Sequence, residues 1–186
     1  MPKSKAIINI ENVVAVATLN QKVDLKAVVK GYPGAQYRPE QFPGLVFRLK
    51  RPKTATLIFN SGKMVCTGAK SEKEARRAVM NVVKELKEGG IIIISKPELK
   101  IQNIVASASL GGKIDLEQAV SKLRKTMYEP EQFPGLIYRM DEPRVVILLF
   151  ATGKLVCTGA RTEQDVYDAV RKLHASLEEQ NLIFYE

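Results

Sequence analysis

Few side chains in this 186-residue sequence could perform covalent chemistry, and their spacing does not assemble them. His174 is the only histidine, and it sits in a helical pattern whose other copy carries Val83. Cys66 and Cys157 each lie inside a strand-like VCTGA run. They read as two buried thiols, and a disulfide would need the two runs to touch. The Gly-Lys dipeptides at 62 and 153 lack the remainder of a phosphate-cradling loop. No Cys/His metal spacing and no nucleophile–base pair occurs, so no catalytic residue, metal or cofactor is assigned. The groups that recur at a fixed spacing are of another kind. Asn12 and Asn103, with Thr67 and Thr158, are uncharged donors. Phe42 and Phe59, then Phe133 and Phe150, stand 17 residues apart in both pairs. Arg48, Lys63, Lys70, Arg139, Lys154 and Arg161 are cations at expected strand ends. Cations at such positions suit phosphates.

All of these recur because the chain is a tandem duplication. Residues 5–95 align with residues 96–186 without a gap, and 36 of the 91 pairs are identical. FPGLVFRLKRPKTATLIFNSGKMVCTGA returns as FPGLIYRMDEPRVVILLFATGKLVCTGA. Two repeats, 1–95 and 96–186, account for the protein, and its action is expected to have pseudo-two-fold symmetry. With 45% hydrophobic and 26% charged residues the composition is that of a globular chain. No apolar run approaches a membrane span, and the start lacks a signal-peptide hydrophobic region, so an intracellular, non-membrane protein is expected. The net charge of +9 suits a polyanionic partner. Residues 1–95 carry 17 Lys/Arg against 7 Asp/Glu, whereas residues 96–186 carry 12 against 13. One fold would therefore present two different electrostatic surfaces.

The elements that must position these groups follow from periodicity. Residues 5–19 are rich in β-branched types and read as a long strand. Asp24 is a plausible cap for a short helix that Gly31, Pro33 and Gly34 end. Strands near 45–49, 54–59 and 64–69 form a meander with turns at 51–53 and 60–63. Ser71 and Glu74 form a capping box for a helix that Gly89-Gly90 closes, and residues 91–94 read as a final buried strand. The second copy repeats the order, with Thr162 as cap and 182–185 as last strand. The class is α+β, with two β-α-β-β-β-α-β repeats.

Residues 54–59 and 145–150 do not alternate apolar with polar, so both faces of that sheet are kept from water. Two amphipathic helices per repeat cover one face. The other is either buried between the halves or kept for a partner. Strand parity places Asn12, Val14, Leu57, Phe59, Val65 and Thr67 on it, with Asn103, Val105, Leu148, Phe150, Val156 and Thr158 in the second copy.

The doubled FPGL(V/I)(F/Y)R…(L/I)F…GK(M/L)VCTGA(K/R), with an Asn-x-Val pair in each leading strand, closely resembles the TATA-box-binding protein family over essentially the whole chain. Its short form resembles the archaeal type. The resemblance implies a saddle: a continuous curved antiparallel sheet with helices on the convex face and DNA beneath the concave one. It implies that Phe42, Phe59, Phe133 and Phe150 are the side chains that wedge between base steps. Minor-groove binding with inserted apolar wedges is a known property of that family, and the resemblance alone extends it to these residues. It further implies that the loop before the second FPGL, with Glu129, Glu131 and Gln132, binds transcription factor B. There Tyr128-Glu-Pro-Glu-Gln replaces Tyr37-Arg-Pro-Glu-Gln, so Glu129 against Arg38 reverses a charge.

Physical reasons stand beside the resemblance. The minor groove of A·T pairs offers only acceptors and lacks the guanine amino group. A flat apolar sheet can approach that floor, with Val14, Val65, Val105, Val156, Leu57 and Leu148 as contact surface and Asn12, Asn103, Thr67 and Thr158 as donors. The expected function is a non-enzymatic initiation factor that bends promoter DNA and recruits transcription factor B, and RNA polymerase indirectly. One chain per site is expected on DNA, with a homodimer conceivable without it. The setting would be archaeal cytoplasm at the nucleoid, or a eukaryotic nucleus. One alternative is a nucleic-acid repair or processing protein; parity places no carboxylate or lysine on the open face to serve it. Another is an interaction module whose sheet is a dimer interface. The basic face of the first long helix (Lys73, Arg76, Arg77, Lys84, Lys87) reads as solvated.

Overall fold

The structure is a computed structural model and describes residues 5–186. The first repeat folds as β1 (Ile7–Thr18), α1 (Leu25–Gly31), β2 (Leu45–Lys50), β3 (Lys53–Ile58), β4 (Lys63–Ala69) and α2 (Glu72–Glu88). The second follows as β5 (Glu98–Ser109), β6 (Lys113–Ile114), α3 (Leu116–Lys122), β7 (Thr126–Met127), β8 (Leu136–Met140), β9 (Val145–Leu149), β10 (Lys154–Ala160), α4 (Glu163–Glu179) and β11 (Ile183–Phe184). Among the described residues nine strands make one antiparallel sheet, in the order β2-β3-β4-β1-β5-β10-β9-β8-β7, and β11 pairs with β6 apart from it. The chain divides into two compact units. One is Asn12–Gln102; the other joins Asn103–Glu186 to the segment that ends at Glu11. They are called here the first-repeat and second-repeat units.

The expected caps form. Ser71 Oγ accepts from Glu74 N at 3.0 Å, and Thr162 Oγ1 accepts from Asp165 N at 3.0 Å. Asp24 caps α1 and Asp115 caps α3 in the same way. Each such cap contributes about 1 kcal/mol. In α2 the residues Ala75, Ala78, Val79, Val82, Val83 and Leu86 are buried, a helical stripe that packs on β2, β3 and β4. In α4 the equivalent stripe packs on β10. Each fully buried Val or Leu contributes about 1.5–3 kcal/mol.

Strand by strand, one face is buried and the other only half so. In β1, Val13, Ala15 and Ala17 are inside while Asn12, Val14, Val16 and Thr18 are half-exposed. In β9, Val145, Ile147 and Leu149 are inside while Val146 and Leu148 are half-exposed. The apolar runs thus serve a dry face against the helices and an open face without one.

Residues 91–94 do not form the expected strand. Ile93 is buried, but Ile92 and Ile94 are 80% and 86% exposed. The reason is Gln21, whose side chain takes a strand's place: its Nε2 donates to Ile92 O at 2.7 Å, and Ile94 N donates to its Oε1 at 3.0 Å. The second repeat has Gly112 at that position. A Cβ there would stand 2.8 Å from Ile183 Cγ1 and 2.9 Å from Phe184 O, so the glycine admits β11 beside β6.

Candidate nucleic-acid interface

Every residue expected on the open face is half-exposed in its own unit. In the first-repeat unit these are Asn12, Val14, Leu57, Phe59, Val65 and Thr67; in the second, Asn103, Val105, Leu148, Phe150, Val156 and Thr158. Register explains the grouping. Leu57 pairs with Val65 and Ala55 with Thr67 across β3 and β4; Leu148 pairs with Val156 and Val146 with Thr158 across β9 and β10. The sequence reading missed Ala55 and Val146, which share the parity of Leu57 and Leu148.

The asparagines are tied to a break in the ladder. Between β1 and β4 the register runs Val13↔Ala69 and then Ala15↔Cys66, so Thr67 and Gly68 together oppose Val14. Between β5 and β10 it runs Cys157↔Ala106 and then Ala160↔Ile104. Gly68 and Gly159 hold φ of +104° and +99°, a conformation that suits glycine. The N–H that the bulge withdraws from the ladder goes to the asparagine: Gly68 N donates to Asn12 Oδ1 at 2.7 Å, and Gly159 N donates to Asn103 Oδ1 at 2.7 Å. With Oδ1 held by a donor, Nδ2 must be the other end, and it donates to Thr67 Oγ1 at 3.0 Å or Thr158 Oγ1 at 3.3 Å. An amide carries two N–H groups, so one remains for a ligand on this half-exposed face, while the Thr67 hydroxyl itself donates to Asn12 Oδ1 at 3.3 Å.

The phenylalanines meet in pairs, one pair per unit. Phe42 and Phe59 have ring centroids 5.8 Å apart at 65°; Phe133 and Phe150 repeat this at 5.8 Å and 63°. Phe42 and Phe133 remain 44% and 38% exposed, costly for rings that had an interior to enter. What seats them is the glycine of each FPG. A Cβ on Gly44 would stand 2.7 Å from Phe42 and 3.0 Å from Phe59; one on Gly135 would stand 2.7 Å from Phe133 and 3.0 Å from Phe150. The sequence marked these glycines only as part of a motif, and three-dimensional packing gives them their role.

Arg48, Lys63, Lys70, Arg139, Lys154 and Arg161 are all exposed; Lys63, Lys70, Lys154 and Arg161 stand at strand ends, whereas Arg48 and Arg139 lie within β2 and β8, paired with Ala55 and Val146. Lys70 already has an intramolecular partner. Arg48 shares a hollow with Lys53, Thr67 and Gly68, and Arg139 shares the matching one with Arg144, Thr158 and Gly159. Lys53 and Arg144 therefore join the cation set that sequence reasoning assembled. In the second-repeat unit Lys125 Nζ lies 2.6 Å from Asp141, and this bond holds the Asp141 carboxyl below the usual carboxylate range. The loops before each FPGL share one backbone: Gln132 N and Phe133 N donate to Glu129 O, as Gln41 N and Phe42 N donate to Arg38 O. Glu129, Glu131 and Gln132 are exposed on that turn, so the charge reversal at 129 falls on an otherwise common scaffold.

Groups with reactive chemistry lie elsewhere. Cys66 and Cys157 are free thiols inside the helix-covered layer. Burial raises the Cys66 thiol, with the Thr56 and Thr54 hydroxyls partly offsetting it, and pushes Cys157 up to about 11. His174 is buried with its Nε2 2.7 Å from Tyr185 Oη, which also donates to Glu178 Oε2 at 3.1 Å. Burial and that carboxylate push Tyr185 up to about 12. Among the described residues no three metal-ligating side chains assemble, and no helix is long and apolar enough to cross a membrane.

One expectation is overturned. The open face does carry a carboxylate, because Ser107 Oγ donates to Glu11 Oε1 at 2.8 Å. Ser107 has the parity of Asn103 and Val105, whereas Glu11 has the parity opposite to Asn12. β1 therefore changes parity between Glu11 and Asn12, which alternation alone conceals.

Comparison with known proteins agrees with this arrangement. A profile of the family described as transcription factor TFIID (or TATA-binding protein, TBP) matches twice, at residues 7–89 and 98–180. The TATA-box-binding protein of Sulfolobus acidocaldarius is 55% identical over 175 residues, which is 94% of this chain and 89% of that one. That of Pyrobaculum calidifontis is 53% identical over 177 residues, 95% of this chain and 89% of that protein. The solved structure of Methanococcus jannaschii TBP superposes with a TM-score of 0.84 at 49% identity, over 92% of this chain and 98% of that one. The chain belongs to the TATA-binding protein family.

Proposed function

We propose that the chain is a general transcription initiation factor that binds the minor groove of A·T-rich, TATA-box promoter DNA and bends it. The observation that carries this reading is the duplicated phenylalanine pair, held at 5.8 Å in each unit and left partly exposed beside an apolar open face. A ring inserted between base steps exchanges water for base contact, at an unstacking cost of a few kcal/mol per step that wrapped contacts repay. Val14, Leu57 and Val65, with Val105, Leu148 and Val156, lie against sugars and base edges. Asn12 and Asn103, with Thr67 and Thr158, donate to adenine N3 and thymine O2. Arg48, Lys63, Lys70, Arg139, Lys154 and Arg161 take phosphates; six such contacts imply a log–log salt slope of about −5. The Glu129 loop receives transcription factor B, and RNA polymerase arrives through that factor. This reading needs no catalytic step, and the archaeal relatives point to work on the nucleoid, inside the cell.

The test is a short duplex with a TATA-like site and dyes at both ends, beside a G·C-substituted control at equal salt. Selective binding that draws the ends together is expected. Equal weak binding to both, with unchanged end distance, would overturn the reading and favour a protein partner for the open face.

A further inference from the structure

One cross-strand row on the open face of each unit runs from the asparagine donor outward. In the second-repeat unit Asn103 Nδ2 donates to Thr158 Oγ1, Thr158 pairs with Val146, and Val146 pairs with Arg139. β7 joins β8 with Thr126 opposite Tyr138. Lys125 stands next in register, opposite Arg139, whose N donates to Lys125 O at 3.1 Å. Residues directly opposite in an antiparallel pair share a face, so the row ends in two neighbouring cations. In the first-repeat unit the same row reads Thr67, Ala55 and Arg48. The residue 91 positions before Lys125 is Gly34, and a Cβ on it would meet nothing within 4 Å.

Lys125 is held in place at a backbone cost. Its φ is +55°, in the left-handed region that lysine rarely enters. Among the described residues the other non-glycine with positive φ is Asn181, a type that tolerates it. Lys125 Nζ lies 2.7 Å from Asp141 Oδ1 and 2.6 Å from Oδ2. Both side chains line a hollow of about 380 Å³ with Arg139, Arg144, Thr158 and Gly159. A carboxylate set among three cations marks an anion site, here filled by the chain itself. The two side chains are 51% and 74% exposed, and a pair so exposed holds weakly, so a phosphate oxygen can replace the carboxylate. Lys50 stands at the counterpart of Asp141, so the first-repeat unit has neither member of this pair.

Resting on the minor-groove reading above, we infer that Lys125 makes an additional phosphate contact in the second-repeat unit, and that the DNA phosphate displaces Asp141 from it. Strain at Lys125 is then the cost of carrying a cation to the end of a row that glycine ends in the other unit.

The test measures affinity for a TATA-like duplex as salt is raised, in the unaltered chain, Lys125→Gly, Lys125→Gln and Asp141→Asn. Each phosphate contact adds about 0.9 to the log–log slope. Both Lys125 variants should lower the slope by about 1, so the affinity lost between about 50 and 200 mM salt becomes about 3.5-fold smaller. Lys125→Gly relieves the backbone and should keep its thermal midpoint, while Lys125→Gln retains the strain. Equal slopes in the two would show that the lost charge, and not the fold, is responsible. Asp141→Asn should keep the slope and bind up to about fivefold tighter at low salt, because no carboxylate competes. In a symmetric duplex, mirror-related pairs of phosphates can be made neutral as methylphosphonates, so that turning the chain round rescues nothing. One such pair should weaken the unaltered chain and leave Lys125→Gly unaffected. An unchanged slope in both Lys125 variants overturns the inference, as does weaker binding by Asp141→Asn. Failure of the unaltered chain to prefer the TATA-like duplex over a G·C control would instead remove the minor-groove reading itself.

Discussion

Phe42 and Phe59 in one unit and Phe133 and Phe150 in the other share a centroid separation of 5.8 Å, with ring angles of 65° and 63°. Beneath the sheets the units are less alike. The first-repeat interior holds Thr54 and Thr56, whereas the equivalent positions in the second hold Val145 and Ile147. Thr56 Oγ1 is buried with no protein partner; it lies near enough to soften the Cys66 thiol shift but makes no hydrogen bond. The difference teaches where geometry is constrained. A wedge, its glycine seat and an asparagine-capped bulge must keep fixed distances toward a ligand, while an interior needs only volume and dryness and tolerates exchange.

The sharpest way to break the comparison is at the wedges. Phe150→Ala and Phe59→Ala should each weaken binding to a TATA-like duplex by about tenfold or more and reduce its bend, read by end-to-end dye distance. Equivalent units predict similar losses, and an unchanged bend angle in either variant removes that pair from the wedge assignment. Glu129→Arg should come next. It should reduce recruitment of transcription factor B by about tenfold in a native-gel supershift while DNA affinity stays within about twofold; equal loss of both would remove the loop's charge as the reason one end is chosen. Gly135→Ala forces a methyl against both rings and should cost about 1–3 kcal/mol, seen as weaker DNA binding. Gly44→Ala, with the same 2.7 Å approach, should match it.

The interiors give smaller effects of opposite sign. Thr56→Val removes a buried hydroxyl that has no partner and should stabilise the chain by about 1 kcal/mol in urea unfolding, whereas Ile147→Thr should destabilise it by more. The interiors also give a pH effect. Cys157 stays protonated in the fold up to about 11, against 9.0 for an ordinary thiol. The unfolded chain therefore releases its proton first. The stability that this thiol contributes is intact below pH 9 and is lost as the pH rises through about 11. Urea midpoints at pH 8 and 10.5 should show the fall, and Cys157→Ser should show a shallower one.

Much of this was legible in the sequence because the duplication shows each motif twice. Helix stripes, caps and the alternating parity of β3, β4, β9 and β10 needed only local periodicity, and they place the wedges, donors and cations on their faces. Three features were not legible. The parity change before Asn12 adds nothing to composition, and Glu11 beside Asn12 reads as well on either face. The four isoleucines at 91–94 satisfy every rule for a buried strand, but their fate depends on Gln21, 71 residues before Ile92, and only its replacement by Gly112 hinted at it. Gly44 and Gly135 look like turn residues until ring positions are known.

The makeup of the second-repeat unit bears on how the chain is made. Its segment ending at Glu11 leaves the ribosome well before the rest of that unit, which begins only at Asn103. At synthesis rates of about 5–20 residues per second, this segment waits roughly 5–20 s for its partners. During that wait the apolar residues from Ile7 onward are an unpaired edge, open to pairing with another nascent chain. Severing the gene between the two sequence repeats would not yield two autonomous halves. Each fragment would carry a strand whose neighbours lie in the other, so the halves should be soluble together and sticky apart.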